Sequence, residues 1–246
     1  RNIASVSRQS DASLIAGALS TGRPVVLLTA HLDDADEASD ELTALGLEAA
    51  RLPAMEVAPG ESGVDLELLA ERLLIVRRLV DGDPPPILVA PVQAVMQTVP
   101  EAERLDDMLR ILRPGDTLDP HALAGWLTEC GYGRVDAIET AGEFAIHGGI
   151  VDIFPPGGEP IRFDLFGDEI DALHAIDLDT MGSDRKLERA ELVGATVAAL
   201  QTDVGVELVP ALLPSEAVAV LDEPLEMAEQ ARSYLERVED GRGIVD

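Results

Sequence analysis

Two consecutive runs alternate apolar and polar side chains, and they constrain what the middle of this chain can fold into. The first is Gly142-Glu143-Phe144-Ala145-Ile146-His147-Gly148-Gly149-Ile150-Val151-Asp152-Ile153-Phe154-Pro155-Pro156. The second is Pro160-Ile161-Arg162-Phe163-Asp164-Leu165-Phe166-Gly167-Asp168-Glu169-Ile170. A period of two is that of a half-buried β-strand. Pro155-Pro156-Gly157-Gly158 cannot continue a strand and marks a turn. Gly167-Asp168 marks another, and Ile170 to Ile176 follows with strand character. Three consecutive strands with short connections predict an antiparallel meander.

Alternation assigns the faces. Ile161, Phe163 and Leu165 point to a core, while Arg162, Asp164 and Phe166 point the other way. An aromatic beside an arginine on a polar face is the composition of an interface hot spot. The competing reading is that Phe166 ends its strand and folds back over the sheet edge. Gly148-Gly149, inside the first run, reads either as a bulge that aims His147 or as a plain bend of the sheet.

The run GEFAIHGGIVDIFPP…PIRFDLFGDEIDALHAIDLDT resembles the UvrB-homology module of the bacterial transcription–repair coupling factors (Mfd), and more loosely that of UvrB. Weaker similarity extends from Arg23-Pro24-Val25-Val26 to Asp222-Glu223-Pro224. In that family the module docks onto UvrA, the damage-recognition protein of nucleotide excision repair. The resemblance implies contacts from an arginine before the glycine pair, an arginine in the following strand and an aromatic four residues beyond. Arg162 and Phe166 match the last two. His147 stands at the first position, a departure: histidine is shorter than arginine and mostly neutral at pH 7. The bidentate carboxylate contact of an arginine is lost or weakened there. Arg134 and Glu139 are candidate rim contacts.

Charge narrows the function. The net charge is −29, and no basic run is longer than Arg77-Arg78. Affinity for duplex DNA comes mainly from Lys and Arg neutralising phosphates, so no direct nucleic-acid binding is expected. The same charge also serves solubility. A hydrophobic content of 46% excludes a disordered chain. The single cysteine, Cys130, excludes a disulfide framework. With no membrane-length apolar run and no signal peptide, a cytoplasmic protein is expected. The chain starts at Arg1 and ends in an unfinished run, so it reads as a piece of a longer protein. The resemblance implies that the whole continues into an RNA-polymerase-binding domain and a translocase motor, and that its C-terminal part masks this module.

Outside the meander the pattern is α/β. Pro24 to Thr29, Ile87 to Ala90 and Ala217 to Leu221 are short apolar runs typical of buried parallel strands. Ala49 to Pro53 is a weaker strand. Helical spacing occupies Asp11 to Leu19, Asp33 to Gly46, Val64 to Val80 and Leu225 to Val238, with Ser10 or Asp11 capping the first. Asp119-Pro120 opens a further helix through Cys130. The fold class expected is α/β, with a β-rich (α+β) domain over 118–197 inserted into a parallel-sheet domain made of 1–117 and 198–246. The resemblance makes the inserted domain a UvrA-interaction domain and the other a degenerate helicase-like domain.

A helicase motor needs a glycine-rich loop ending in lysine after its first strand. The corresponding Val6 to Ser13 has neither residue, and the only lysine in the chain is Lys186. Asp222-Glu223 ends an apolar strand and resembles the acid pair that holds magnesium in the related motors. It reads either as a relic of that pair or as a helix cap before Pro224. No cofactor, metal or catalytic residue is expected of this piece. The alternative is a fragment of a UvrB-like ATP-dependent excision-repair helicase.

Overall fold

The computed structural model describes residues 2–6, 9–20, 22–55, 66–194 and 206–237. Their elements, in chain order, begin β1 (Asn2–Val6), α1 (Gln9–Leu19), β2 (Val25–Thr29), α2 (Leu32–Ala44), β3 (Ala49–Arg51), α3 (Leu66–Val80), β4 (Ile87–Pro91), α4 (Val92–Met96) and β5 (Thr98–Pro100). Next come α5 (Ala102–Met108), β6 (Leu109–Leu112), α6 (Pro120–Glu129), β7 (Gly133–Arg134), β8 (Glu143–His147), β9 (Ile150–Phe154), β10 (Ile161–Phe166), β11 (Glu169–Asp177), β12 (Gly182–Leu187) and β13 (Ala190–Val193). The last are β14 (Val206–Leu208), α7 (Val209–Leu212), β15 (Val218–Asp222) and α8 (Pro224–Arg237). Two compact units result: Arg1–Val64, Glu71–Glu103 and Leu200–Asp246 make one, and Asp65–Ala70 with Arg104–Ala199 the other.

The first unit is built on a five-stranded sheet in the order β1-β15-β2-β4-β3, every neighbouring pair parallel. Apolar runs predict such strands because helices cover parallel sheets. Val25, Leu27, Ile87, Val89 and Val220 pack with Ala35, Ala38 and Leu42 of α2 and with Ala16 of α1. Helix α1 already runs at Gln9, so Ser10 and Asp11 lie in its first turn instead of capping it. One interior group runs against composition. Arg72 on α3 is 2% exposed and donates to the carbonyls of Pro53, Ala94 and Gln97 at 2.8, 2.9 and 3.1 Å. Burial pushes its pKa down to about 10, so it stays charged at neutral pH. Its cost is offset only because its donors meet oxygen acceptors.

The second unit contains a six-stranded sheet, β12-β11-β10-β9-β8-β7, antiparallel except for β7 against β8. The expected three-strand meander is therefore longer. The first alternating run is not one strand but the hairpin β8–β9, with His147 paired to Ile150 across Gly148-Gly149. Gly148 has φ +60, as the first position of a two-residue hairpin turn demands. A Cβ on Gly149 would lie 3.0 Å from the Leu165 carbonyl oxygen, so glycine there permits a close backbone approach. Neither a bulge nor a bend is needed: the glycine pair is the turn.

Phe144, Val151, Ile153, Ile161, Phe163 and Leu173 line one face of this sheet and pack on Leu123 and Leu127 of α6. Asp119 caps that helix by accepting from the His121 N–H at 2.8 Å, with Pro120 at its start. Strand β6 pairs antiparallel with β13, joining the stretch before residue 117 to the same unit. The Arg110 guanidinium sits 4.5 Å above the Trp126 ring. Gly194, just after β13, leaves room for that ring: a Cβ there would come within 2.2 Å of it.

Candidate functional site

The register of the meander sets one row of side chains across five strands: Ala145, Asp152, Arg162, His174 and Lys186. Cross-strand partners share a face, so this row lies opposite Phe163 and the main core. Arg162 is half-buried, and it is not free. Its Nε and Nη2 donate to both carboxylate oxygens of Asp152 at 2.8 and 2.7 Å. Its Nη1 donates to the Met181 carbonyl at 3.2 Å. Asp152 is only 4% exposed, and Met181 is left-handed, with φ +55. The pair holds the guanidinium charged, above its ordinary pKa.

The expectation of a plainly polar face needs correction. Ile138, Ala145 and Ile176 form a second, smaller core on the Arg162 side, with Val135, Phe154 and Met181 against it. The segment after β7 supplies Val135 and Ile138, and it covers one end of the face. The sequence offered a signal: Asp152 is an acid within the apolar run Ile150-Val151-Asp152-Ile153, where a charge needs a partner. Met181 had no such signal.

Phe166 settles the two readings left open for it. It is 84% exposed, the partner of Glu169 at the end of the β10–β11 hairpin. It does not fold over the sheet edge. Leu165 packs on the main core, so alternation carries Phe166 to the Arg162 side. His147 is exposed at the end of β8, its Nε2 2.6 Å from the Asp136 carbonyl oxygen. It also lies on the Arg162 side, in the row of Ile150 and Asp164. In that same row, beyond Ile150, Asp164 meets His174 Nδ1 at 3.0 Å. Arg134 lies exposed on β7. The Glu139 and Thr140 N–H groups donate to Glu143, holding its carboxyl below the usual range. The sheet thus brings His147, Arg162 and Phe166 to one face, with Arg162 clamped and Phe166 bare.

In the first unit, Asp222 closes β15 at the C-terminal edge of the parallel sheet. It is 4% exposed, and its Oδ1 is buried without a hydrogen-bond partner among the described residues. Burial, then Glu223 and Asp34, raise its pKa to about 6. Glu223 is left-handed at φ +48. Its carboxyl is raised by hydrogen bonding to Glu226, whose own is lowered mainly by His31, 2.8 Å away. Among the described residues no group of His, Cys, Asp or Glu is arranged to hold a metal ion. Ser7 and Arg8, in the stretch aligned with a phosphate loop, lie outside the described residues. No described helix is long and apolar enough to cross a membrane.

Comparison with known proteins gives this geometry a context. Residues 111–197 match the family model described as the UvrB interaction domain. That segment carries the whole His147–Arg162–Phe166 face. Residues 111–197 belong to the UvrB interaction domain family. Over 167 residues, 66% of its length, the chain is 36% identical to the transcription-repair-coupling factor of Bacillus subtilis (strain 168). It is 28% identical over 179 residues to that of Staphylococcus aureus (strain bovine RF122 / ET3-1). The chain is thus a relative of the transcription-repair-coupling factors. It spans 14% of the length of the first of these proteins and 15% of the second.

Proposed function

We propose that this chain is a non-catalytic docking region of a transcription-coupled repair factor, and that it recruits UvrA to begin nucleotide excision repair. The observation that carries the reading is the face of the UvrB interaction domain where Phe166 stands 84% exposed on the same strand face as the clamped Arg162. Isolated large apolar side chains are ordinary on surfaces. An aromatic held at a hairpin end, on the same strand face as an ordered guanidinium, is instead suited to fill a partner's pocket. His147 completes the same face. The C-terminal part of the full-length protein is a second partner for this surface, in competition with UvrA.

The parallel-sheet unit is read as a degenerate helicase-like domain. Its support is the acid pair Asp222-Glu223 at the C-terminal edge of the sheet and the lack of glycine and lysine from Val6 to Ser13. Without a phosphate cradle the pair has no nucleotide to act on, and a charge of −29 opposes duplex DNA. Gel filtration of the chain with purified UvrA tests the reading: co-elution is expected, and separate elution at micromolar concentrations rejects it. An ATPase assay separates it from a UvrB-like motor. No turnover above buffer is expected, and magnesium-dependent turnover abolished by Asp222→Ala favours the motor.

A further inference from the structure

Arg162 reaches the docking face through a group that no partner can touch. Asp152 is 4% exposed, and it is the only carboxylate buried to that degree among the described residues of its unit. It takes two of the five guanidinium N–H groups, and the Met181 carbonyl takes a third. Among the described residues nothing takes the other two, which are left for an external acceptor. Without Asp152, a four-bond side chain would sample many rotamers, and its charge would have no fixed place on the face. Without the contact to Met181, the β11–β12 turn would lose a tie to the sheet.

We propose that Asp152 is a positioning residue for partner docking: it fixes the Arg162 guanidinium so that its two remaining N–H groups meet a carboxylate of the partner while Phe166, at the far end of the same strand, enters an apolar pocket. A fixed fork gives up little entropy on binding, which is the physical gain of such an arrangement. The same clamp makes Met181 and its left-handed turn part of the supporting frame. The inference rests on the UvrA-docking reading above.

A double-mutant cycle tests it. Asp152→Asn keeps the shape of the side chain and removes its charge. UvrA affinity is measured by calorimetry for wild type, Asp152→Asn, Arg162→Ala and the double variant, each first checked for an intact fold by circular dichroism. Asp152→Asn is expected to weaken binding by about tenfold, within the range of coupled pairs. In the Arg162→Ala background the same change is expected to do nothing further, because Asp152 acts through that arginine. A merely structural Asp152 would lower affinity equally in both backgrounds, and that result overturns the proposal. So does undiminished binding by Asp152→Asn. If wild type does not bind UvrA at all, the docking reading itself fails and takes this inference with it.

Discussion

Replacing Phe163 and Phe166 separately by alanine tests which side of the β10 strand faces water. Phe163 is 0% exposed, and Phe166 is 84% exposed. An aromatic side chain can bury roughly 200 Å². Phe166 therefore hides about 30 Å², worth less than ~1 kcal/mol at ~25 cal/mol per Å². Phe163 hides all of its area, and its removal leaves a cavity between the sheet and α6, a loss of roughly 3–5 kcal/mol. For a unit near 100 residues each kcal/mol moves the melting temperature by about 4–8 °C. Phe166→Ala is expected to shift it by a few degrees at most, and Phe163→Ala by more than ~12 °C. The readout can be specific, because the only tryptophan in the chain is Trp126, on α6 of the same unit. Its fluorescence follows this unit alone through a thermal ramp. If Phe166→Ala lowers the transition as far as Phe163→Ala, Phe166 is core, and the docking face has been placed on the wrong side of the sheet.

Two other perturbations probe the two units, one each. Asp222 has a carboxyl raised to about 6 in the folded state, chiefly by burial. The folded state then binds the proton more tightly than the unfolded, so stability is fully present below pH ~4 and falls as pH rises towards 6 and just beyond. Asp222→Asn removes that term: its urea midpoint for the parallel-sheet unit is expected to match wild type near pH 4 and to exceed it at pH 8, and a constant difference across pH would refute it. Gly194→Ala would press a methyl group into the Trp126 ring and the Cys130 sulfur. A loss of roughly 1–3 kcal/mol is expected, with a shift of the tryptophan emission as the ring leaves Arg110, and an unchanged spectrum would contradict that packing.

The strands of the β-rich module were legible because each buries one face, which writes a period of two into the sequence. That period also misled. A two-residue hairpin shifts the alternation by one, putting His147 and Ile150 on one face, yet the two alternating halves read together as one run, and only the pair Gly148-Gly149 marked the reversal. Phe166 was placed on the correct side by parity, yet parity cannot say whether a terminal side chain bends over an edge. The tie of Arg162 to Asp152 was hidden for another reason. Which carboxylate an arginine meets depends on cross-strand register, and register is fixed by turn lengths that composition does not reveal. The pairing of β6 with β13 joins segments nearly eighty residues apart, with no local signal in either. In the parallel-sheet unit the buried runs were plain, whereas nothing in the sequence marks Arg72 as buried. Its burial follows from three backbone carbonyls that come together only after folding.

The central claim, that this face docks onto UvrA, is tested most directly by titrating purified UvrA with wild type and with Phe166→Ala in parallel in a calorimeter. Saturable binding by wild type is expected, with a loss of about 2 kcal/mol or more on removing the aromatic, the level of an interface hot spot. Equal affinity of the two proteins, with both folded, would contradict it, as would the absence of any heat of binding from wild type.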